Sequence, residues 1–161
     1  MRSDLLPLLI FVGLAVLILI LTTLVSQKLG PKFYSRSIMN RSETAIFRFM
    51  RSKLPPSWTI MTQVSYGAFL ANKSRGRYMS INSKRADFVI VNPSLNVAGV
   101  FEYQGTGHYG RGAAARRRAM QSDKIKRRAC QEAQLPLIEI PAQWDRNVLA
   151  SELDMLVNPP Q

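Results

Sequence analysis

Acidic residues are in short supply in this chain: ten Asp and Glu face 22 Lys and Arg, leaving a formal net charge of +12 over 161 residues. An excess of that size suggests an anionic partner, either nucleic acid or the inner leaflet of a membrane. Cysteine is scarcer still. Cys130 stands alone, which excludes an intrachain disulfide and any zinc cluster built on cysteines. Beside Ala129 and Ala133 in a helical stretch, it reads as a packed thiol. His108 is the only histidine, and neither an internal repeat nor a low-complexity segment is present.

One segment lacks charge altogether. Residues 5–25 form an uninterrupted apolar run of 21 residues, mostly Leu, Ile and Val. As a helix rising about 1.5 Å per residue it is roughly 30 Å long, the thickness of a bilayer core. A cleavable signal peptide is the competing reading, but its apolar stretch is usually shorter, and no small-x-small pattern follows Val25. Arg2 is offset by Asp4 before the run, whereas Lys28, Lys32, Arg36 and Arg41 follow it with no acid among them. That asymmetry places the rest of the chain in the cytoplasm, although the same bases also suit lipid headgroups. The expected organisation is an anchor over 1–25, a basic linker over 26–39 and a domain over 40–161, long enough for one compact core.

Within the domain, Asn40-x-x-Glu43 has the form of a capping box, and Ile46, Phe49, Met50 and Leu54 follow at helical spacing until Pro55-Pro56. Residues 58–65 alternate as a strand. Residues 66–84 read as irregular, with a short helical turn near 78–82. A hairpin is expected over 86–104 with its turn at 92–96. A glycine-rich loop over 105–112 leads to a long helix ending near 134, with Ile125, Ala129 and Ala133 as its apolar face. A short strand over 137–140 and an amphipathic helix carrying Trp144, Val148, Leu149, Leu153 and Leu156 complete the order. Helices flanking a mixed sheet, an α/β fold, is the class this implies.

Between Glu43 and Asp123 there are twelve Lys or Arg and only two acids, Asp87 and Glu102. Each sits inside an apolar strand, in Ala86-Asp87-Phe88-Val89-Ile90-Val91 and in Val100-Phe101-Glu102-Tyr103-Gln104. An ionised carboxylate there is costly unless something compensates it. With period-two alternation and normal hairpin register, both carboxylates fall on one side of the sheet. Two hard oxygen ligands in a basic surrounding suit Mg²⁺ or Mn²⁺ and a phosphodiester. The competing reading is structural: Asp87 paired with Lys84 or Arg85, and Glu102 with a helix arginine. Residues 111–128 hold eight bases and one acid. Arg111, Arg116, Arg117, Arg118, Lys124 and Arg127 are the candidate phosphate contacts, against the alternative of a solvated helix face. Tyr103 and Tyr109 stand nearby, where a tyrosine could stack on bases; Tyr103 equally suits the core.

The order and spacing of Arg85-Ala86-Asp87-Phe88-Val89-Ile90, Phe101-Glu102-Tyr103-Gln104, His108, Asp123-x-x-Lys126 and Leu135-Pro136-Leu137-Ile138-Glu139-Ile140-Pro141 resemble a bacterial family of unknown function in the restriction-endonuclease-like, PD-(D/E)XK superfamily, close to very-short-patch-repair endonucleases. The helix led by Glu43 and the strand with Gln63-Val64 also match, so the resemblance covers about residues 40–149. It implies a restriction-endonuclease-like mixed sheet, with Asp87 and Glu102 as metal-binding acids. Glu43 becomes a possible helix acid, although capping its own helix also explains it. Gln104 takes the last place of the E-x-K signature, Lys126 the basic place on the following helix, and His108 a phosphate-contact or acid/base place. Gln104 departs from the usual lysine, and an amide cannot take a proton from water. The expected protein is a single-pass bacterial inner-membrane nuclease that cuts DNA with a divalent metal. The alternatives are an inactive DNA-binding adaptor that keeps the fold, or a basic domain bound to lipid headgroups.

Overall fold

A computed structural model describes residues 5–28, 32–105 and 112–159, with 27 and 28 in backbone only. The chain divides into two compact units, Met1–Arg36 and Ser37–Gln161. The first contains α1 (Leu5–Lys28), whose stretch Leu5–Ser26 is long and apolar enough to cross a membrane. Its described side chains are exposed on every side. A signal sequence has the same composition, and fractionation separates the two. Full-length protein is expected to stay in the membrane pellet after a carbonate wash, and residues 37–161 alone to be soluble and folded. Release of the full chain by carbonate would show that α1 does not span.

The second unit opens with α2 (Arg41–Lys53), held by the expected capping box. Glu43 N–H donates to Asn40 Oδ1 at 2.9 Å, and the Asn40 N–H donates to Glu43 Oε2 at 2.8 Å. At its other end the Arg51 guanidinium donates to the carbonyls of Leu54, Pro55 and Trp58, which a proline pair cannot satisfy by continuing the helix. Then come β1 (Thr59–Ser65), a 3₁₀ turn (Tyr66–Ala68), α3 (Arg75–Asn82), β2 (Arg85–Val91), β3 (Val97–Gln104), α4 (Ala113–Glu132), β4 (Leu137–Pro141) and α5 (Arg146–Val157). The stretch read as irregular with a late turn therefore carries a 3₁₀ turn and two turns of helix. Its polar, glycine-interrupted sequence hides a helix that buries only Ile81.

The four strands lie in the order β1-β2-β3-β4, antiparallel except for the parallel pair β3-β4. One face carries Phe88, Ile90, Phe101 and Ile140 against Ile46, Met50 and Leu54 of the α2 segment and Leu149 and Leu153 of α5. The other carries Val89, Val91 and Val100 against Tyr66, Leu70, Ile81 and Cys130. Both faces are covered, so the central strands read as near-continuous apolar runs. The acids that interrupt those runs are conspicuous for that reason.

Candidate active site

The β2-β3 ladder pairs Phe88 with Phe101, and one step further the register sets Asp87 opposite Glu102. Phe88 and Phe101 turn into the α2-α5 layer, so both acids turn to the face covered by α4. Asp87 then takes over part of the ladder: its Oδ2 accepts the Tyr103 backbone N–H at 2.8 Å, while Gln63 Nε2 donates to Oδ1 at 3.3 Å. Gln63 itself has φ 55, in the left-handed region that a non-glycine residue enters at a cost of order 1–3 kcal/mol. The Arg85 guanidinium donates to its carbonyl at 3.3 Å. A strained residue in an otherwise regular strand is thus bonded to one of the two candidate acids.

Glu102 is buried. Its Oε1 accepts the Tyr66 hydroxyl at 2.6 Å, and its Oε2 pairs with Lys126 Nζ at 2.7 Å, with the two charged side chains 5% and 11% exposed. Gly67 lets the turn carrying Tyr66 pack on the end of α3, because a Cβ there would stand 3.0 Å from the Asn82 backbone Cα. The Lys126 ammonium also lies 5.6 Å from the centroid of the Tyr66 ring. Burial raises the Glu102 carboxyl above its ordinary value, Lys126 and the Tyr66 hydroxyl pull it back in part, and the nearby Asp87 charge raises it again. Burial, followed by the Glu102 charge, drives the Tyr66 phenol well up. The Cys130 thiol, pushed up to about 11 chiefly by burial and by Glu102, is an inert packed group as its neighbours in sequence implied.

The structure brings Asp87, Glu102, Gln104 and Lys126 to one face, as strand alternation and the hairpin required. Gln104 follows Glu102 by two residues, and its Oε1 is buried with no hydrogen-bond partner. Glu43 is not brought to this group: its carboxylate closes the capping box of a helix that packs on the opposite face. Tyr103 is half-buried and packs against that opposite core, the core reading of the two given for it. His108, Tyr109 and Arg111 lie outside the described residues. Among the described residues Asp87 forms no ion pair with Lys84 or Arg85, and Arg85 bonds to the Gln63 carbonyl instead. For Glu102 the structural alternative holds in kind, with a lysine in place of an arginine.

The stripe that α4 buries differs from the expected one. Asp123, Lys126 and Cys130 are buried, Ile125 and Ala129 are half-buried, and Ala133 is exposed. The helix turns Lys126 inward because a carboxylate waits on β3, an attraction invisible to an apolar periodicity. On its outer side Arg116, Arg117, Arg118 and Lys124 are exposed, with no ion pair among the described residues. Arg127, by contrast, grips Glu139 of β4 with two bonds at 2.7 and 2.9 Å, and Arg128 pairs with Glu132. Gln63 and Tyr66 are the participants that sequence reasoning passed over. Gln63 stood inside a matched motif, whereas nothing in the sequence marks Tyr66.

Comparison with known proteins gives this arrangement a family. Residues 35–154 match the model of DUF2726, a family of proteins of unknown function. The chain belongs to the DUF2726 family. An uncharacterized protein of Haemophilus influenzae is 35% identical over 118 residues, which cover 71% of this chain and 59% of that protein. The uncharacterized protein y4bI of Sinorhizobium fredii is 34% identical over 137 residues, 83% of this chain and 95% of its own length. The chain thus spans less than two thirds of the Haemophilus relative. No solved structure matches it. The DUF2726 match takes in α2 to most of α5 and every described residue of the site, and it leaves α1 outside.

Proposed function

We propose that the DUF2726 domain is a restriction-endonuclease-like, PD-(D/E)XK nuclease that hydrolyses DNA phosphodiester bonds with a divalent cation. In this reading α1 holds it at the cytoplasmic side of a bacterial inner membrane. The observation that carries the proposal is the facing pair Asp87 and Glu102 with Lys126 at 2.7 Å from one of them. The order of a helix, three antiparallel strands, a helix and a parallel strand, with both acids on the middle hairpin, supports the fold assignment.

Among the described residues no three His, Cys, Asp or Glu side chains are grouped to hold a metal ion. The fit of a cation therefore rests on two carboxylates and on the unpartnered amide oxygen of Gln104. It is a fit in charge: Asp87 and Glu102 against Lys126 leave one formal negative charge in a half-buried setting, which a hard divalent cation would offset. It is also a fit in donors, because each carboxylate oxygen keeps a second lone pair after its present hydrogen bond. When bound, Mg²⁺ or Mn²⁺ supplies charge neutralisation at phosphoryl oxygens and lowers the pKa of a water. The protein's own part is to orient. Tyr103 and Gln63 hold the Asp87 carboxylate, Tyr66 holds that of Glu102, and Lys126 supplies a cation from α4 that can face a phosphate. Arg116, Arg117, Arg118 and Lys124 would gather the duplex through its backbone, with weak sequence preference.

Full-length protein in detergent, incubated with plasmid DNA, tests the proposal directly. Cleavage is expected with Mg²⁺ or Mn²⁺ and none with EDTA. A second reading has its own observation: Gln104 cannot deprotonate water, and Lys126 is already tied to Glu102. DNA binding without cleavage under either metal would establish that reading, a membrane-tethered adaptor. Absence of both binding and cleavage would remove the two together.

A further inference from the structure

We infer that Gln104 is an oxygen ligand of the cation rather than a degenerate catalytic base; the inference rests on the nuclease reading of the same site. Gln104 Oε1 is the one buried side-chain oxygen or nitrogen without a hydrogen-bond partner among the described residues. A buried amide oxygen left unpaired costs about 1–3 kcal/mol, and native structures rarely keep one without a use. Its place on β3 gives the use. Glu102 and Gln104 are separated by one residue, so their side chains stand on the same face about 7 Å apart along the strand. Asp87 faces Glu102 across the hairpin. Three oxygen-bearing side chains on adjacent strands, an aspartate, a glutamate and an amide, are the ligand types Mg²⁺ and Mn²⁺ prefer.

Charge explains why an amide suits the position. The basic group of the site comes from α4, where Lys126 already meets Glu102. A lysine at 104 would put a second ammonium beside the first and leave the site with no formal charge to attract a cation. Glutamine offers an oxygen and keeps the single negative charge. A divalent cation then turns the site to one positive charge, the complement of one phosphodiester.

Binding of Mn²⁺ to the detergent-solubilised full chain, followed by loss of the free-ion signal in electron paramagnetic resonance, reads this without any turnover. Gln104→Leu is expected to weaken Mn²⁺ binding by about tenfold or more, the scale on which removing one partner from a metal site is felt. Gln104→Glu, which adds a charge to the same oxygen position, is expected to tighten it. The melting temperature of Gln104→Leu in EDTA is expected to match or exceed that of wild type, because the deleted oxygen had no partner in the protein. Asp87→Asn serves as the control that lowers affinity whatever Gln104 does. If Gln104→Leu binds Mn²⁺ like wild type while Asp87→Asn does not, Gln104 is no ligand and the two-carboxylate site stands. If Gln104→Leu melts well below wild type in EDTA, the role of Gln104 is structural and the inference falls. Failure of the wild-type chain to bind Mn²⁺ removes both the site and the ligand.

Discussion

Lys126→Met is expected to cost the domain about 3–5 kcal/mol near neutral pH, because it strands a buried carboxylate without its counter-charge. Glu102 is 5% exposed and retains only the Tyr66 hydroxyl as a donor in that variant. The carboxyl answers by holding its proton. Its folded value, already raised by burial, moves further above the unfolded one. A carboxyl raised in this way binds more protons in the folded than in the unfolded chain. It therefore favours folding at acid pH and loses that contribution as pH climbs from the ordinary carboxylate range through the raised folded value. Urea unfolding of residues 37–161 at about pH 5 and about pH 8 should show Lys126→Met close to wild type at the first and far below it at the second. Lys126→Met combined with Glu102→Gln should recover most of the loss, since an uncharged amide of the same shape needs no counter-charge. A deficit that is equal at both pH values and unrelieved by the second substitution would mean that Lys126 contributes packing, and that the ion pair is incidental.

Asp87→Asn should lower cleavage by about 10²–10³-fold while leaving DNA affinity unchanged or higher. The amide keeps an oxygen for the Tyr103 N–H, so the hairpin holds, which alanine would not ensure. What it removes is a charge, and with it a ligand to the cation; removing one preorganised electrostatic interaction lowers turnover by about 10²–10³-fold. Affinity should not fall, because a negative charge facing phosphate has gone. Neutralising Arg116, Arg117 and Arg118 together should do the reverse. Among the described residues these exposed side chains pair with no acid, so folding is spared. Binding should weaken for all sequences, and the slope of log K against log salt should flatten by about 0.9 for each duplex phosphate no longer neutralised. Arg127→Ala separates phosphate binding from architecture: its bidentate hold on Glu139 ties α4 to β4, so it should lower stability as well. Should Asp87→Asn and the arginine variant lose DNA binding alike, the carboxylates would belong to the binding surface and the division between chemistry and attraction would be wrong.

The candidate site was legible where its signal is local. Strand alternation and a five-residue turn placed Asp87 and Glu102 on one face, because side-chain direction in a strand has period two and a hairpin fixes register. Asn40 and Glu43 announced α2 through a bond pattern that spans three residues. The buried face of α4 was not legible. Periodicity searches for apolar residues, and here the helix buries Asp123 and Lys126 beside Cys130, leaving Ala133 outside. Only the presence of Glu102 makes burying Lys126 favourable, and Glu102 is 24 residues away. Tyr66 was invisible for the same reason: its partner is 36 residues distant, and an aromatic residue after a strand carries no mark of a hydroxyl pointed at a carboxylate.

By itself the sequence determined the apolar run that becomes α1, the basic excess, the hairpin with its two acids, and the order of most elements. Each of these is written in composition or in periods of a few residues. Tertiary structure decided which groups those acids meet. It set the Lys126 ion pair, the Tyr66 hydrogen bond, the strained Gln63 at Asp87 and the unpartnered Gln104 oxygen. It also sent Glu43 to the far side, on a helix packed against the opposite face of the sheet. Those relations depend on how two faces of one sheet are covered by helices distant in the chain, and the energies that choose them come from burial and charge acting through space.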